Sequence, residues 1–152
     1  MTGRRLGLIA ALGSLGMMIA AYGFQYIGDL PPCKMCYWQR YPHFAAIGVG
    51  GLFLVFAYRG LLLLGGLSAL TTGTIGVYHM GVEQKWWQGP DTCTSSSTDG
   101  LSVEQLLDQI MTAPLVRCDE IAWSLMGISM AGWNAIVSFA LAFVWFTAFK
   151  RS

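Results

Sequence analysis

Four stretches of the chain run without a charged side chain for long enough to cross a lipid bilayer, and nothing else limits the fold so strongly. They cover residues 6–27, 41–58, 61–82 and a fourth within 121–149, best placed at about 124–148. A spanning helix needs about 20 predominantly apolar residues, with a range of about 17 to 25. Hydrocarbon offers the backbone no hydrogen bonds, so each stretch is predicted to be a helix that satisfies its own amides and carbonyls. The many glycines suit close helix contacts. The predicted fold is therefore an all-α integral membrane protein, one four-span domain over residues 1–152 packed as an antiparallel four-helix bundle. Composition agrees, because 55% of the residues are apolar and only 11% are charged. Soluble domains carry about a quarter charged residues, so a soluble enzyme is excluded. A net charge of +1 with no basic stripe leaves nothing to grip a phosphate backbone, which argues against nucleic acid as a partner.

The apolar run after Arg4 and Arg5 is too long for a signal-peptide core and ends without a small-residue cleavage site, so it reads as a retained first helix. An even number of spans puts both termini on one side. Arg4, Arg5, Arg59, Lys150 and Arg151 crowd into two short tails and a tight turn there, while Lys34, Arg40, Lys85 and Arg117 are spread over two longer loops opposite. The denser side is predicted to be cytoplasmic. The outer loops, about 28–40 and 83–120, then face the periplasm of a bacterial inner membrane. Within the second, Ser102-Val103-Glu104-Gln105 has the form of a capping box, and Val103, Leu106, Leu107, Ile110 and Met111 follow at helical spacing. A short amphipathic helix is expected, either flat on the membrane surface or packed on the bundle end. The Ser/Thr-rich stretch Thr92–Gly100 reads as flexible.

All four cysteines, Cys33, Cys36, Cys93 and Cys118, fall in the outer loops and none in a span. Thiols serving as small buried hydrophobes would sit mostly in the helices. In an oxidising compartment two disulfides are the default, and pairing by loop joins Cys33 to Cys36 and Cys93 to Cys118. For Cys93 and Cys118 an ordinary staple closing about 26 residues, worth about 3.5 kcal/mol, stands beside a redox role. A bridge across Cys33-Lys34-Met35-Cys36 removes little chain entropy and is better explained by reactivity, since such pairs tend to be labile and oxidising. A zinc site on all four cysteines competes, but it wants a second close pair of ligands, whereas Cys93 and Cys118 are 25 positions apart.

Pro31 and Pro32 fix an extended entry to the pair, and Cys36 falls near the outer N-terminus of the second helix, where the helix dipole favours a thiolate. Arg40, one turn on, adds a permanent positive charge, unless it merely snorkels to headgroups. His79, near the outer end of the third span and one turn before Glu83, is an ionisable group at membrane depth; the bland alternative is a neutral histidine bonded within the bundle. His43 reads as such a bundle histidine. Trp86, Trp87, Trp38, Tyr37, Tyr41 and Tyr78 form an aromatic belt, some of whose rings are able to line a pocket for a flat ligand. A dithiol surrenders two electrons and two protons, and a lipid-soluble quinone is an acceptor reachable from the membrane. A second disulfide on a long outer loop would meet a soluble partner and pass electrons inward by thiol–disulfide exchange.

The run Pro32-Cys33-Lys34-Met35-Cys36-Tyr37-Trp38-Gln39-Arg40, the segment Tyr78-His79-Met80-Gly81-Val82-Glu83 and Arg117-Cys118-Asp119 resemble the DsbB family of bacterial disulfide-bond formation proteins. The resemblance extends over essentially the whole chain. It implies a membrane thiol–disulfide oxidoreductase that reoxidises a periplasmic thioredoxin-fold dithiol oxidase, DsbA, and reduces a quinone, ubiquinone or menaquinone. By position it implies that Cys93 takes the mixed disulfide with the partner and that Cys118 attacks the first pair at Cys33. Cys36 then faces the quinone as thiolate, Arg40 supports it, and His79 with Glu83 flanks the ring. At Glu83 the best-known members lead one to expect a neutral amide. Two other readings stand beside this one: a non-catalytic bundle with stapled outer loops, which tolerates Cys33→Ser, and a paralogue dedicated to one client. Vitamin K epoxide reductase-type enzymes differ in carrying the quinone-proximal pair in a late helix, whereas here it opens the second.

Overall fold

The computed structural model describes residues 2–94, 102–112 and 116–152. Its elements are α1 (Gly3–Tyr26), α2 (Lys34–Phe56), α3 (Gly60–Glu83), α4 (Val103–Thr112), β1 (Ser124–Leu125), β2 (Ile128–Ser129) and α5 (Met130–Lys150). The four long helices close a ring in which α1 packs on α2 and α5, and α3 packs on the same two. Three of them, α1, α3 and α5, are long and apolar enough to cross a membrane. Large apolar side chains such as Ile19, Val55, Phe56 and Phe143 face outward, as lipid-facing side chains do and as those of a water-soluble surface rarely do in such number. The protein is therefore a helical membrane protein.

Two boundaries depart from the expected spans. The second helix begins at Lys34 rather than at Tyr41, because Cys33 caps it: its Sγ accepts the Cys36 N–H at 3.2 Å. A charge-free run marks only what tolerates hydrocarbon, whereas a helix starts where a side chain takes up the first free amides. Residues 34–40 of the expected outer loop thus lie on α2. The fourth helix begins at Met130, not near 124, since residues 124–129 form a two-stranded hairpin. Met126 (φ 53°) and Gly127 (φ 77°) make its turn, the positive-φ pair that tight hairpins require. The hairpin is also the one departure from an all-α chain among the described residues.

Trp145 of α5 is wholly buried, beside Leu62, Ala10 and Phe53. Gly65 makes room for it, because a Cβ there would stand 2.7 Å from the indole ring. The two termini share one end of the bundle with the α2–α3 turn, where Arg59 Nη2 donates to Phe149 O at 3.3 Å. The capping box of α4 is formed: Ser102 N–H donates to Gln105 Oε1 at 3.0 Å and Gln105 N–H to Ser102 Oγ at 3.3 Å. Val103, Leu107, Ile110 and Met111 of this helix are all exposed, so its apolar face is not buried on the bundle end. Of the stretch expected to be flexible, residues 95–100 lie outside the described residues. Cys93 and Thr94 do not follow the expectation, being buried in a turn whose amides donate to Pro90 O at 3.0 and 3.1 Å.

Candidate redox site

The N-terminus of α2, the outer end of α3 and the segments that carry Cys93 and Cys118 meet in one buried cluster. It contains Cys33, Met35, Val82, Cys93 and Cys118, with Cys36, Trp38 and Val116 packed against it. All four cysteines are therefore gathered at one place. Cys93 and Cys118 are joined as a disulfide, and Cys118 N–H donates to Cys93 O at 2.7 Å. Cys33 and Cys36 are free thiols with their Sγ atoms 2.8 Å apart. Of the two expected disulfides one is present, and the short-loop pair stands in its dithiol form. Closing so short a loop adds little stability, so this pair is free to change state. The four-cysteine zinc alternative does not match this arrangement, because a disulfide leaves Cys93 and Cys118 no thiolate to offer a metal.

The disulfide expected to meet a soluble partner is buried, with Cys93 and Cys118 1% and 0% exposed. What covers them is partly electrostatic. Asp119, next to Cys118, receives Arg117 Nε and Nη2 at 3.1 and 2.9 Å and Lys85 Nζ at 2.7 Å. Lys85 Nζ also donates to Asp119 O at 2.8 Å, clamping this segment to the end of α3. Burial works to raise the Asp119 pKa, but the hydrogen bonds and charges of Arg117 and Lys85 prevail and hold it down at about 2. The same contact, chiefly its hydrogen bond, raises Arg117.

Beside the dithiol lies an apolar cavity of about 260 Å³, walled by α1, α2, the end of α3, α5 and the segment from Val116 to Leu125. Cys33, Cys36, Arg40, His79 and Glu83 all line it, so five of the seven residues singled out from sequence converge on one space, and the other two form the adjacent disulfide. Arg40 is 8% exposed, with Nη1 donating to Gln25 Oε1 at 2.7 Å and its guanidinium over the rings of Tyr22 and Tyr37 at 5.0 and 5.2 Å. It is thus held inside the protein and does not reach out to headgroups. His79 Nε2 stands 3.6 Å from Cys33 Sγ and 3.9 Å from Glu83 Oε1, and Glu83 Oε2 accepts a short hydrogen bond from Ser129 Oγ. Cys33 is pushed up in pKa, first by its hydrogen bond to the Cys36 sulfur, then by burial and by the charge of Cys36, while the Cys36 amide pulls the other way. In the dithiol form Cys33 is accordingly the sulfur that keeps its proton.

His43 takes the place expected of a bundle histidine, its Nε2 2.9 Å from Asn134 Oδ1. The belt rings Trp86, Trp87 and Tyr41 are exposed and do not line the cavity; its aromatic walls are Phe24, Trp123 and Trp133. Sequence reasoning missed these, together with Gln39 and Asn134, which are buried between the helices. For the last two a signal existed, since an amide in a membrane-spanning segment is rare enough to mark an interhelical contact.

A helical membrane protein with a reactive dithiol, a neighbouring disulfide and an apolar cavity beside them belongs to the class that handles thiol–disulfide exchange at a membrane. The family can then be stated. The family model of the disulfide bond formation protein DsbB matches residues 3–148, and the chain belongs to that family. The chain is 27% identical to a disulfide bond formation protein B of Albidiferax ferrireducens, over 97% of this chain and 91% of that protein. It is 32% identical to one of Dechloromonas aromatica, over 83% of this chain and 79% of that protein. An uncharacterized protein of Rickettsia prowazekii is 26% identical over 90% of this chain and 81% of its own length. No solved structure matches. Membership implies disulfide oxidoreductase activity in disulfide bond formation.

Proposed function

We propose that the protein is a quinone-dependent thiol oxidase of the bacterial inner membrane that reoxidises a periplasmic DsbA-like dithiol oxidase. The observation that carries this reading is the placement of Cys33 and Cys36 between the Cys93–Cys118 disulfide on one side and the apolar cavity on the other. All four long helices span the membrane, with both termini cytoplasmic and the cysteine segments periplasmic. The exposed apolar face of α4 then rests on the membrane surface.

The cavity suits a flat apolar ring. Its surface is mostly hydrocarbon and aromatic, with Arg40 and His79 among the polar side chains on it, the make-up typical of small-molecule sites. A quinone bound there, ubiquinone or menaquinone, supplies a two-electron acceptor. The chain's own residues do the rest. The partner's thiolate attacks Cys93 Sγ, the Cys93–Cys118 bond breaks, and Cys118 leaves as thiolate. Cys118 attacks Cys33 of the oxidised pair, forming a Cys118–Cys33 bond and expelling Cys36 as thiolate. That charge appears in the first turn of α2, where the free amides stabilise it, and beside the permanent cation of Arg40. Glu83 and His79 close the site on the α3 side. The buried disulfide requires the Asp119 clamp to open before the partner engages.

The test follows quinone absorbance with purified protein in detergent, a reduced thioredoxin-fold partner, and ubiquinone or menaquinone. Quinone loss that requires both the partner and Cys33 supports the reading. Quinone loss in Cys33→Ser, or none in the wild type with either quinone, overturns it.

A further inference from the structure

A run of hydrogen bonds through the middle of the bundle ends on Cys33, and every bond in it points the same way. Two main-chain carbonyls set the direction, because a carbonyl only accepts. Gln39 Nε2 lies 3.2 Å from Met35 O, which fixes the nitrogen end of that amide. Asn134 Nδ2 lies 3.4 Å from Thr72 O, which fixes the second amide. Thr72 Oγ1 spends its hydrogen on Gln39 O at 2.8 Å and so accepts from Asn134 Nδ2 at 3.2 Å. With both amides oriented, the remaining contacts have one reading. His43 Nε2 donates to Asn134 Oδ1 at 2.9 Å, Asn134 Nδ2 to Gln39 Oε1 at 2.8 Å, and Gln39 Nε2 to His79 Nδ1 at 2.8 Å. Nδ1 of His79 is thereby a bare acceptor. A doubly protonated ring would set N–H against N–H across that 2.8 Å. A neutral imidazole carries its single proton on the other nitrogen, and Nε2 faces Cys33 Sγ at 3.6 Å and Glu83 Oε1 at 3.9 Å, with the backbone of Cys118 as a further acceptor for the ring.

We propose that Gln39 and Asn134 are positioning residues that hold His79 in the tautomer protonated on Nε2, so that its imidazole presents a hydrogen-bond donor to Cys33 Sγ. The aligned chain polarises each member toward the sulfur. His43 Nδ1, buried and without a partner among the described residues, is its open accepting end. Cys33 Sγ then faces His79 Nε2–H beside the backbone amides of Cys36, at 3.2 Å, and Met35. Cys33 is the sulfur of the pair that resists ionisation, and the chain lowers the cost of placing negative charge on it. The other titratable or charged groups around this pair are Cys36, Arg40 and His43 from α2, Glu83 from α3, and Arg117, Asp119 and Glu120 from the segment before β1. Among the described residues α1 and α5 bring none to the cavity. The inference stands apart from the quinone reading, and its test uses neither quinone nor partner.

The full chain in detergent, labelled with ¹⁵N at its two histidines, reports which ring nitrogen of His79 carries the proton at pH 7. The expected wild-type result is a proton on Nε2 and none on Nδ1. Gln39→Glu replaces the donor with a carboxylate that only accepts, and a proton is expected to appear on Nδ1. A wild type protonated on Nδ1 or on both nitrogens, or a Gln39→Glu protein whose Nδ1 stays bare, overturns the proposal. The donor itself is read from the pH at which Cys33 alkylates in a Cys36→Ser background. Adding His79→Leu should move that midpoint up by about one pH unit, the size of one lost hydrogen bond to a thiolate. An unmoved midpoint also overturns the proposal. If His79→Leu fails to insert, the wild-type tautomer alone decides.

Discussion

Asp119→Asn should make the Cys93–Cys118 disulfide easier to reach without touching either sulfur. The carboxylate accepts from Lys85 at 2.7 Å and from Arg117 at 2.9 and 3.1 Å, and its pKa falls from 3.8 to about 2 in consequence. A displacement of that size corresponds to roughly 2 kcal/mol favouring the closed segment. Lys85 and Arg117 are 62% and 37% exposed, however, so screening by water and salt cuts this to about 1 kcal/mol. Since 1.4 kcal/mol is tenfold, opening should become about five-fold more frequent. The assay is the rate at which dithiothreitol reduces Cys93–Cys118 at pH 7, in a Cys33→Ser/Cys36→Ser background so that a single disulfide reports. Asp119→Asn should accelerate it about five-fold. Acid should imitate the substitution. The folded-state pKa lies below the ordinary value, so the clamp is complete above about pH 3.8 and is lost as pH falls through about 2. An unchanged reduction rate in Asp119→Asn would refute the clamp.

Other substitutions probe other parts of the account. Arg40→Met removes the cation beside the dithiol together with its bond to Gln25. Quinone reduction should fall by about 10- to 100-fold, the range expected for one charge-assisted hydrogen bond, as measured by initial rates with the protein still inserted. Gly65→Ala pushes a Cβ to 2.7 Å from the wholly buried Trp145 ring. It should lower stability by about 1–3 kcal/mol in thermal unfolding in detergent, whereas Gly16→Ala, with nothing within 4 Å, should not. Ser102→Ala deletes half of the capping box on α4 and should cost that helix about 1 kcal/mol, visible as faster amide exchange over residues 103–107.

The helices were legible because they follow from local rules, whereas bringing His79 and Glu83 of α3 beside Cys33 and Cys36 takes a contact across 46 positions. A charge-free run finds α3 to within one residue at each end but misses the start of α1, which includes Arg4 and Arg5, and helical spacing puts Arg40 one turn from Cys36. Hydropathy alone starts the second span at Tyr41, past Lys34 and Arg40, whereas the placing of Cys36 near the helix N-terminus agrees with a start at Lys34. The hairpin at Met126-Gly127 hid inside an uncharged stretch, where hydropathy does not distinguish a strand from a span. Burial of the Cys93–Cys118 disulfide depends on Lys85 reaching Asp119 across 34 positions, a long-range contact with no local pattern. Gln39 and Asn134 were visible as polar residues in apolar segments, but their partnership emerges only when α2, α3 and α5 close on one another.

The central claim is that electrons pass from the outer disulfide to the inner pair and on to quinone. The direct measurement adds one equivalent of reduced partner to quinone-free oxidised protein, traps the thiols by alkylation, and locates them by mass spectrometry before and after quinone is added. The account predicts that Cys33 and Cys36 gain electrons from the partner only when Cys93 and Cys118 are intact, and that quinone then restores the Cys33–Cys36 bond. Reduction of Cys33–Cys36 by the partner in Cys93→Ser/Cys118→Ser protein, or thiols that persist with both ubiquinone and menaquinone, would contradict it.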